Sequence, residues 1–92
     1  MALYWVSYNL DKPGQDYPDL IERLRALGAT RILLSDWLLP YNNTNPDEIR
    51  ADLDRFLDKN HRIMVCELHH NAAWRDLLAS NGVVKALFAN NA

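Results

Sequence analysis

Two polar residues at the end of the first predicted strand are the first candidates for chemistry. Asn9 lies near the end of the strand and points to the open face, and Asp11 opens the loop that follows. Carboxylate and amide oxygens are ligands for Mg²⁺ and Mn²⁺, so two copies of the chain meeting here could hold a metal for phosphodiester cleavage. In the alternative interpretation, Asn9 and Asp11 organise the turn into Pro13-Gly14 through hydrogen bonds from side chain to backbone.

A candidate nucleophile, Ser35, lies in the short run Ser35-Asp36-Trp37. A serine nucleophile needs a histidine as its base, and the nucleophile-elbow type also needs flanking glycines. No histidine stands at a suggestive spacing, and the whole chain has only three glycines. The pattern therefore favours a kink at Ser35-Asp36, with Trp37 packed in the core, over a catalytic serine.

The histidines form a third candidate, a metal site. Glu67, His69 and His70 lie near the end of the last predicted strand, and His61 lies at its start. Neighbouring residues on a strand point to opposite faces, and the spacing matches neither a zinc finger nor an HExxH helix. Surface histidines at a strand end are the favoured interpretation.

Trp74 is interpreted as a core or interface residue rather than as a platform for stacking nucleic-acid bases.

The elements that must position these residues follow from hydrophobic periodicity and turn signals. We predict strands over 3–10, 30–39 and 61–69, and the second of these is one strand or two joined by a kink. Two long helices run from the cap Asp16 to the stop Gly28 and from the cap Asn45 to the stop Asn60. A short helix over 72–78, capped by Asn71, is followed by a turn at Asn81-Gly82 and by an apolar tail over 83–88, which is a strand or a docked segment.

This element order predicts an α+β fold of the ferredoxin-like βαββαβ type. Its helices lie on one face of an antiparallel sheet, and a short C-terminal helix and tail follow. The 92 residues make a single domain over 1–92, with a core over 3–69 and a C-terminal appendix over 70–92.

Both faces of the predicted sheet are apolar. In the first strand Tyr4, Val6 and Tyr8 point one way, and Leu3, Trp5, Ser7 and Asn9 point the other way. The two long helices cover one face, and the appendix is too short to cover all of the other. Because 49% of the residues are hydrophobic, a monomer of this size has little interior to hide them. We therefore predict a homodimer that packs through the open sheet face or through the C-terminal tail.

Composition narrows the classes of partner and location. The net charge is −2 and the pI is near 5.8, which argues against sequence-independent binding of nucleic acid. The single cysteine, Cys66, cannot form an internal disulfide. No run approaches the roughly 20 apolar residues of a membrane span, and no signal peptide is recognisable. These features predict a cytoplasmic protein without a membrane partner.

One stretch of the chain resembles a known family. Residues 8–17, with Lys12-Pro13-Gly14-Gln15 at the centre, resemble a segment of SinR-family proteins, small bacterial relatives of the CRISPR-associated Cas-two proteins and of VapD-like toxins. Ser35 and Trp37 match the family's serine-x-tryptophan pattern. The second helix and last strand also fit, through Ile49-Arg50, Leu53 and 60–63, so that the resemblance covers roughly residues 3–68.

The resemblance implies a ferredoxin-like homodimer. For some relatives it also implies metal-dependent nuclease activity or a non-catalytic scaffold role on DNA. The family's acidic metal ligand falls at the position of Asn9, and His61 also replaces an acidic residue. We therefore predict a non-catalytic dimeric protein that acts through protein contacts. The alternative is an RNA or DNA endonuclease that uses Asp11, Asn9 and Ser35 with Mg²⁺ or Mn²⁺. A third alternative, a small-molecule sensor, requires a pocket.

Overall fold

A computed structural model describes residues 2–9, 17–57, 61–69 and 71–91 of the chain. Within these ranges the chain forms four strands and three helices. In chain order they are β1 (Ala2–Asn9), α1 (Pro18–Ala26), β2 (Thr30–Leu33), β3 (Asp36–Tyr41), α2 (Pro46–Asp54), β4 (Arg62–Leu68) and α3 (Asn81–Asn91). None of these helices is both long enough and apolar enough to cross a membrane.

The four strands form one open sheet in the order β2-β3-β1-β4, and every neighbouring pair is antiparallel. This α+β architecture is consistent with a ferredoxin-like fold. The predicted extended stretch over 30–39 is two strands, because a turn at Leu34 and Ser35 reverses the chain between β2 and β3.

Local sequence signals explain where the two long helices begin. Asn45 caps α2, since its Oδ1 accepts a hydrogen bond of 2.9 Å from the backbone N–H of Glu48. The N-cap of α1 is Tyr17, one residue after the predicted Asp16, and Tyr17 makes no side-chain cap bond. Pro18 at the first helical position suits this start. N–H groups in the first turn have no partner within the helix, so the N–H that proline lacks costs no hydrogen bond there. Gly28 follows α1 with a φ of 89°, a left-handed conformation that glycine adopts without strain.

The C-terminal segment, residues 71–91, differs from the prediction. The predicted helix over 72–78 is wrong, because residues 71–80 have no regular structure. The predicted turn at Asn81-Gly82 is also wrong, because Asn81 opens α3. The side-chain oxygen of Ser80 accepts a bond of 3.3 Å from the N–H of Val83, so a serine cap outweighs the turn signal. The apolar tail is therefore a docked segment, and it is helical.

Each sheet face carries its own core, as the alternation in β1 predicted. The first face packs against α1 and α2, and its buried residues are Tyr4, Val6, Tyr8, Leu20, Leu24, Trp37, Leu39, Ile49 and Leu53. The second face packs against the C-terminal segment, and its buried residues are Leu3, Ile32, Leu38 and Val84. The C-terminal segment covers only part of the second face, because Met64 of β4 remains 57% exposed.

An ion-pair cluster ties α1 to α2 above the first face. The guanidinium of Arg23 donates to both carboxylate oxygens of Asp52, at 2.9 Å and 2.6 Å. Arg55 donates to the same carboxylate at 2.9 Å. The hydrogen bonds from Arg23, aided by those from Arg55 and opposed by partial burial, lower the pKa of the Asp52 carboxyl from 3.8 to about 2.

Replacing Asp52 by asparagine is expected to destabilise the chain by about 1–2 kcal/mol at neutral pH, after allowance for solvent screening. Because the folded-state pKa is depressed, this stabilisation is fully present above about pH 5 and is lost as the pH falls towards 2. Urea unfolding of wild type and Asp52→Asn across this pH range measures the difference, which should shrink in acid. The control is Asp54→Asn. The ion pair of Asp54 with Arg50 is exposed to solvent, so its removal should cost little stability. Equal losses from both substitutions would contradict the prediction.

Candidate functional site

A shallow depression of about 560 Å³ lies at the end of β1. Its lining comprises Trp5, Ser7, Tyr8, Asn9, Ser35, Arg62, Ile63 and Met64. The backbone N–H of Tyr8 donates to the carbonyl of Ser35 at 3.1 Å, which holds the β2–β3 turn against the end of β1. The structure therefore brings Asn9 and Ser35 to one place. Asp11 lies outside the described residues, so its part in the site stays a prediction.

Arg62 is the residue of this depression that sequence reasoning did not place. It is directly opposite Asn9 in the antiparallel pairing of β1 with β4. In the sequence, Arg62 belongs to the stretch 60–63 that fits the family resemblance, and it lies near Lys59. Its meeting with Asn9 depends on the pairing register, which the sequence does not reveal. Among the described lining residues Arg62 is the only charged one, and its cation opposes a divalent metal while favouring an anion.

The described residues of the depression do not fit a divalent metal on their own. Asn9 and Ser35 supply neutral oxygens, and both lie on a depression that also holds the cation of Arg62. Across the described ranges no group of three or more His, Cys, Asp and Glu side chains is placed to hold a metal ion. The carboxylates that Mg²⁺ or Mn²⁺ prefers would have to come from Asp11 or from a second copy.

The depression also gives Ser35 no general base among the described residues, because none of its lining side chains is a histidine or a carboxylate. Trp37 next to it has the predicted packing role. The residue is 1% exposed, and its Nε1–H donates to the hydroxyl of Tyr8 at 3.0 Å. The Trp5 Nε1–H donates to Asp36 Oδ1 at 2.9 Å, which fixes the indole of Trp5 on the second face.

The structure does not bring the described histidines of the candidate metal site together. His61 and His69 lie at opposite ends of β4, and His70 is outside the described residues. The Nε2 of His61 is 3.1 Å from the Tyr17 hydroxyl, and the two rings meet edge to face at 4.7 Å. His69 and Glu67 are exposed. His61 therefore joins β4 to the start of α1, and His69 is a surface histidine as predicted.

A second concavity, an apolar cleft of about 250 Å³, lies between the second face and the C-terminal segment. Trp74 forms part of its wall and stacks on Phe88, with ring centroids 5.7 Å apart and planes 11° apart. Trp74 packs against the core of the second face, the first of the two predicted roles, and its role at an interface stays a prediction. The sequence did not predict the cleft, because its walls come from strands and a helix whose docking the sequence does not show.

Comparison with protein-family models finds no family that matches the chain, and comparison with solved structures finds no match either. The resemblance to SinR-family proteins therefore rests on the residues quoted for it and stays a prediction. The functional argument depends on the geometry of the chain itself.

Proposed function

We propose that the chain is a non-catalytic protein-interaction module with ferredoxin-like βαββαβ topology. It acts as a homodimer, as the resemblance to SinR and Cas-two-like proteins implies. The observation that carries the proposal is the uncovered part of the second sheet face. An exposed apolar surface on a small domain is typical of an interaction site.

This uncovered part is centred on Met64 of β4, beside β1. In the strand register Met64 lies opposite Ser7, and Cys66 lies opposite Trp5. Cys66 is only half-buried, and Met64 is exposed. A second copy would remove these side chains from water, and each 100 Å² of apolar surface so buried contributes about 2.5 kcal/mol before the costs of association.

The chemistry of the depression supports an interaction role over a catalytic one. Its described lining residues supply an amide, two serine hydroxyls and the cation of Arg62. A general base is missing from this described set, and so is a carboxylate that could bind a metal. An interface with another protein uses such amide, hydroxyl and guanidinium groups for hydrogen bonds and packing, and it needs neither a base nor a metal ion.

Light scattering at micromolar concentration tests the dimer. Wild type should show about twice the chain mass of 10.6 kDa, and Met64→Glu should show the monomer mass, because each interface would bury a new charge. The matched control is Ala51→Glu, an exposed position on α2, which lies on the other side of the sheet. It should remain a dimer. A monomeric wild type at this concentration would refute the proposed dimer.

A cleavage assay tests the nuclease alternative, which is considered because Asn9 and Ser35 line the same depression. Wild type, Asn9→Asp and Asp11→Ala are incubated with labelled RNA and DNA and with Mg²⁺ or Mn²⁺. No cleavage by wild type is expected. Activity confined to Asn9→Asp would support the proposal, because the added carboxylate would complete a metal site. Cleavage by wild type that disappears in Asp11→Ala would overturn it.

A further inference from the structure

The apolar cleft on the second face has no part in the proposed function and is lined in an unusual way. Every described residue in its wall is apolar: Trp5, Ile32, Leu33, Leu38, Leu68, Ala72, Ala73, Trp74, Leu77, Val84 and Phe88. The lining comes from all four strands, from the irregular residues 71–80 and from α3. Water in such a space finds no hydrogen-bond partners among side chains, so an apolar occupant is favoured over water.

The size and shape of the cleft restrict the occupant. An apolar cavity of about 150 Å³ accepts benzene, so the 250 Å³ available here suits a somewhat larger flat molecule. The nearly parallel rings of Trp74 and Phe88 contribute flat surfaces to the wall. Trp74 is held in this orientation by its Nε1–H, which donates to Asn81 Oδ1 at 3.1 Å. The volume is too small for a helix or a strand of another protein.

The charge of the lining restricts the occupant further. The described lining residues include no side chain that could pair with a carboxylate, a phosphate or an ammonium group. A charged ligand would lose its hydration without compensation. We infer that this cleft is a binding site for a small uncharged aromatic molecule, of the size of indole or naphthalene, held between the sheet and the C-terminal segment.

The three tryptophans of the chain allow a direct test, because they occupy different environments. Trp5 and Trp74 line the cleft, whereas Trp37 is buried in the core of the first face. Unlabelled indole is titrated into the ¹⁵N-labelled full chain, and the indole N–H resonances of the protein are followed. The signals of Trp5 and Trp74 should shift in a saturable way, with a dissociation constant of about 0.1–1 mM for so small a ligand. The Trp37 signal should stay in place.

Two comparisons sharpen the test. Indole-3-acetate, which adds a carboxylate to the same rings, should bind at least about tenfold more weakly. Leu33→Gln places an amide in the wall of the cleft. Because one apolar contact with the ligand is lost, indole should bind about fivefold more weakly. Leu34→Gln is the matched control, since this neighbouring leucine is outside the lining, and it should bind as wild type does.

The inference would be overturned by shifts that do not saturate, by a Trp37 shift as large as those of Trp5 and Trp74, or by equal binding of indole and indole-3-acetate. Equal effects of the two leucine substitutions would also overturn it. Met64→Glu should leave indole binding unchanged, because Met64 lies outside the cleft. The inference thus stands or falls separately from the proposed dimer.

Discussion

Replacing Val84 by aspartate is expected to release α3 from the sheet and to destabilise the docked state by about 3 kcal/mol or more. Val84 is fully buried against the second face, where it packs with Leu3, Ile32 and Leu38. An ionised carboxylate at this point would lie among apolar side chains without a partner. Moving α3 into water costs less than burying that charge.

Amide hydrogen exchange measures the release. In Val84→Asp the amides of α3 should exchange much faster than in wild type, whereas Leu20, Leu24 and Leu53 in the other core should stay protected. The matched control is Val83→Asp, because Val83, the residue before Val84, is 46% exposed. It should leave the exchange of α3 nearly unchanged. Protection of α3 in Val84→Asp equal to that in wild type would contradict the prediction.

Replacing Trp37 by alanine is expected to cost about 3–5 kcal/mol of unfolding free energy, from a total of about 5–14 kcal/mol for a domain of this length. The side chain is the largest fully buried one, so its removal leaves a cavity in the core of the first face. It also removes the bond to the Tyr8 hydroxyl and the face over which the Arg31 guanidinium lies at 5.1 Å.

Urea unfolding of Trp37→Ala and Trp74→Ala tests this expectation with the same chemical change at two sites. Trp74 is only half-buried and stands at the wall of the open cleft, so its loss should cost about 1–2 kcal/mol. A loss for Trp74→Ala as large as that for Trp37→Ala would mean that the second core contributes as much as the first.

Much of the fold was predictable because local patterns act independently of the rest of the chain. Strict alternation along the first strand placed Tyr4, Val6 and Tyr8 on one face and Leu3 and Trp5 on the other, as the two cores show. The capping signal at Asn45 and Glu48 predicted the start of α2, because a cap bond forms between residues three positions apart.

The C-terminal segment was predicted less well, because two local signals compete there. Asn81-Gly82 is typical of a turn, yet the Ser80 cap and the burial of Val84 support a helix. The apolar residues Val84, Leu87 and Phe88 follow a helical spacing that makes sense only when the sheet face beneath them is known. Tertiary packing therefore decided the conformation of this segment.

The end of the first strand divides in the same way between sequence and structure. The sequence by itself determined the residue types there: an amide at Asn9 in place of a carboxylate, and a serine at Ser35 without a nearby histidine in sequence. Only the tertiary structure decided which groups meet, by placing Arg62 opposite Asn9 and the turn of Ser35 beside both. The physical reason is that strand register and helix docking depend on contacts between residues far apart in the chain, which no local pattern encodes.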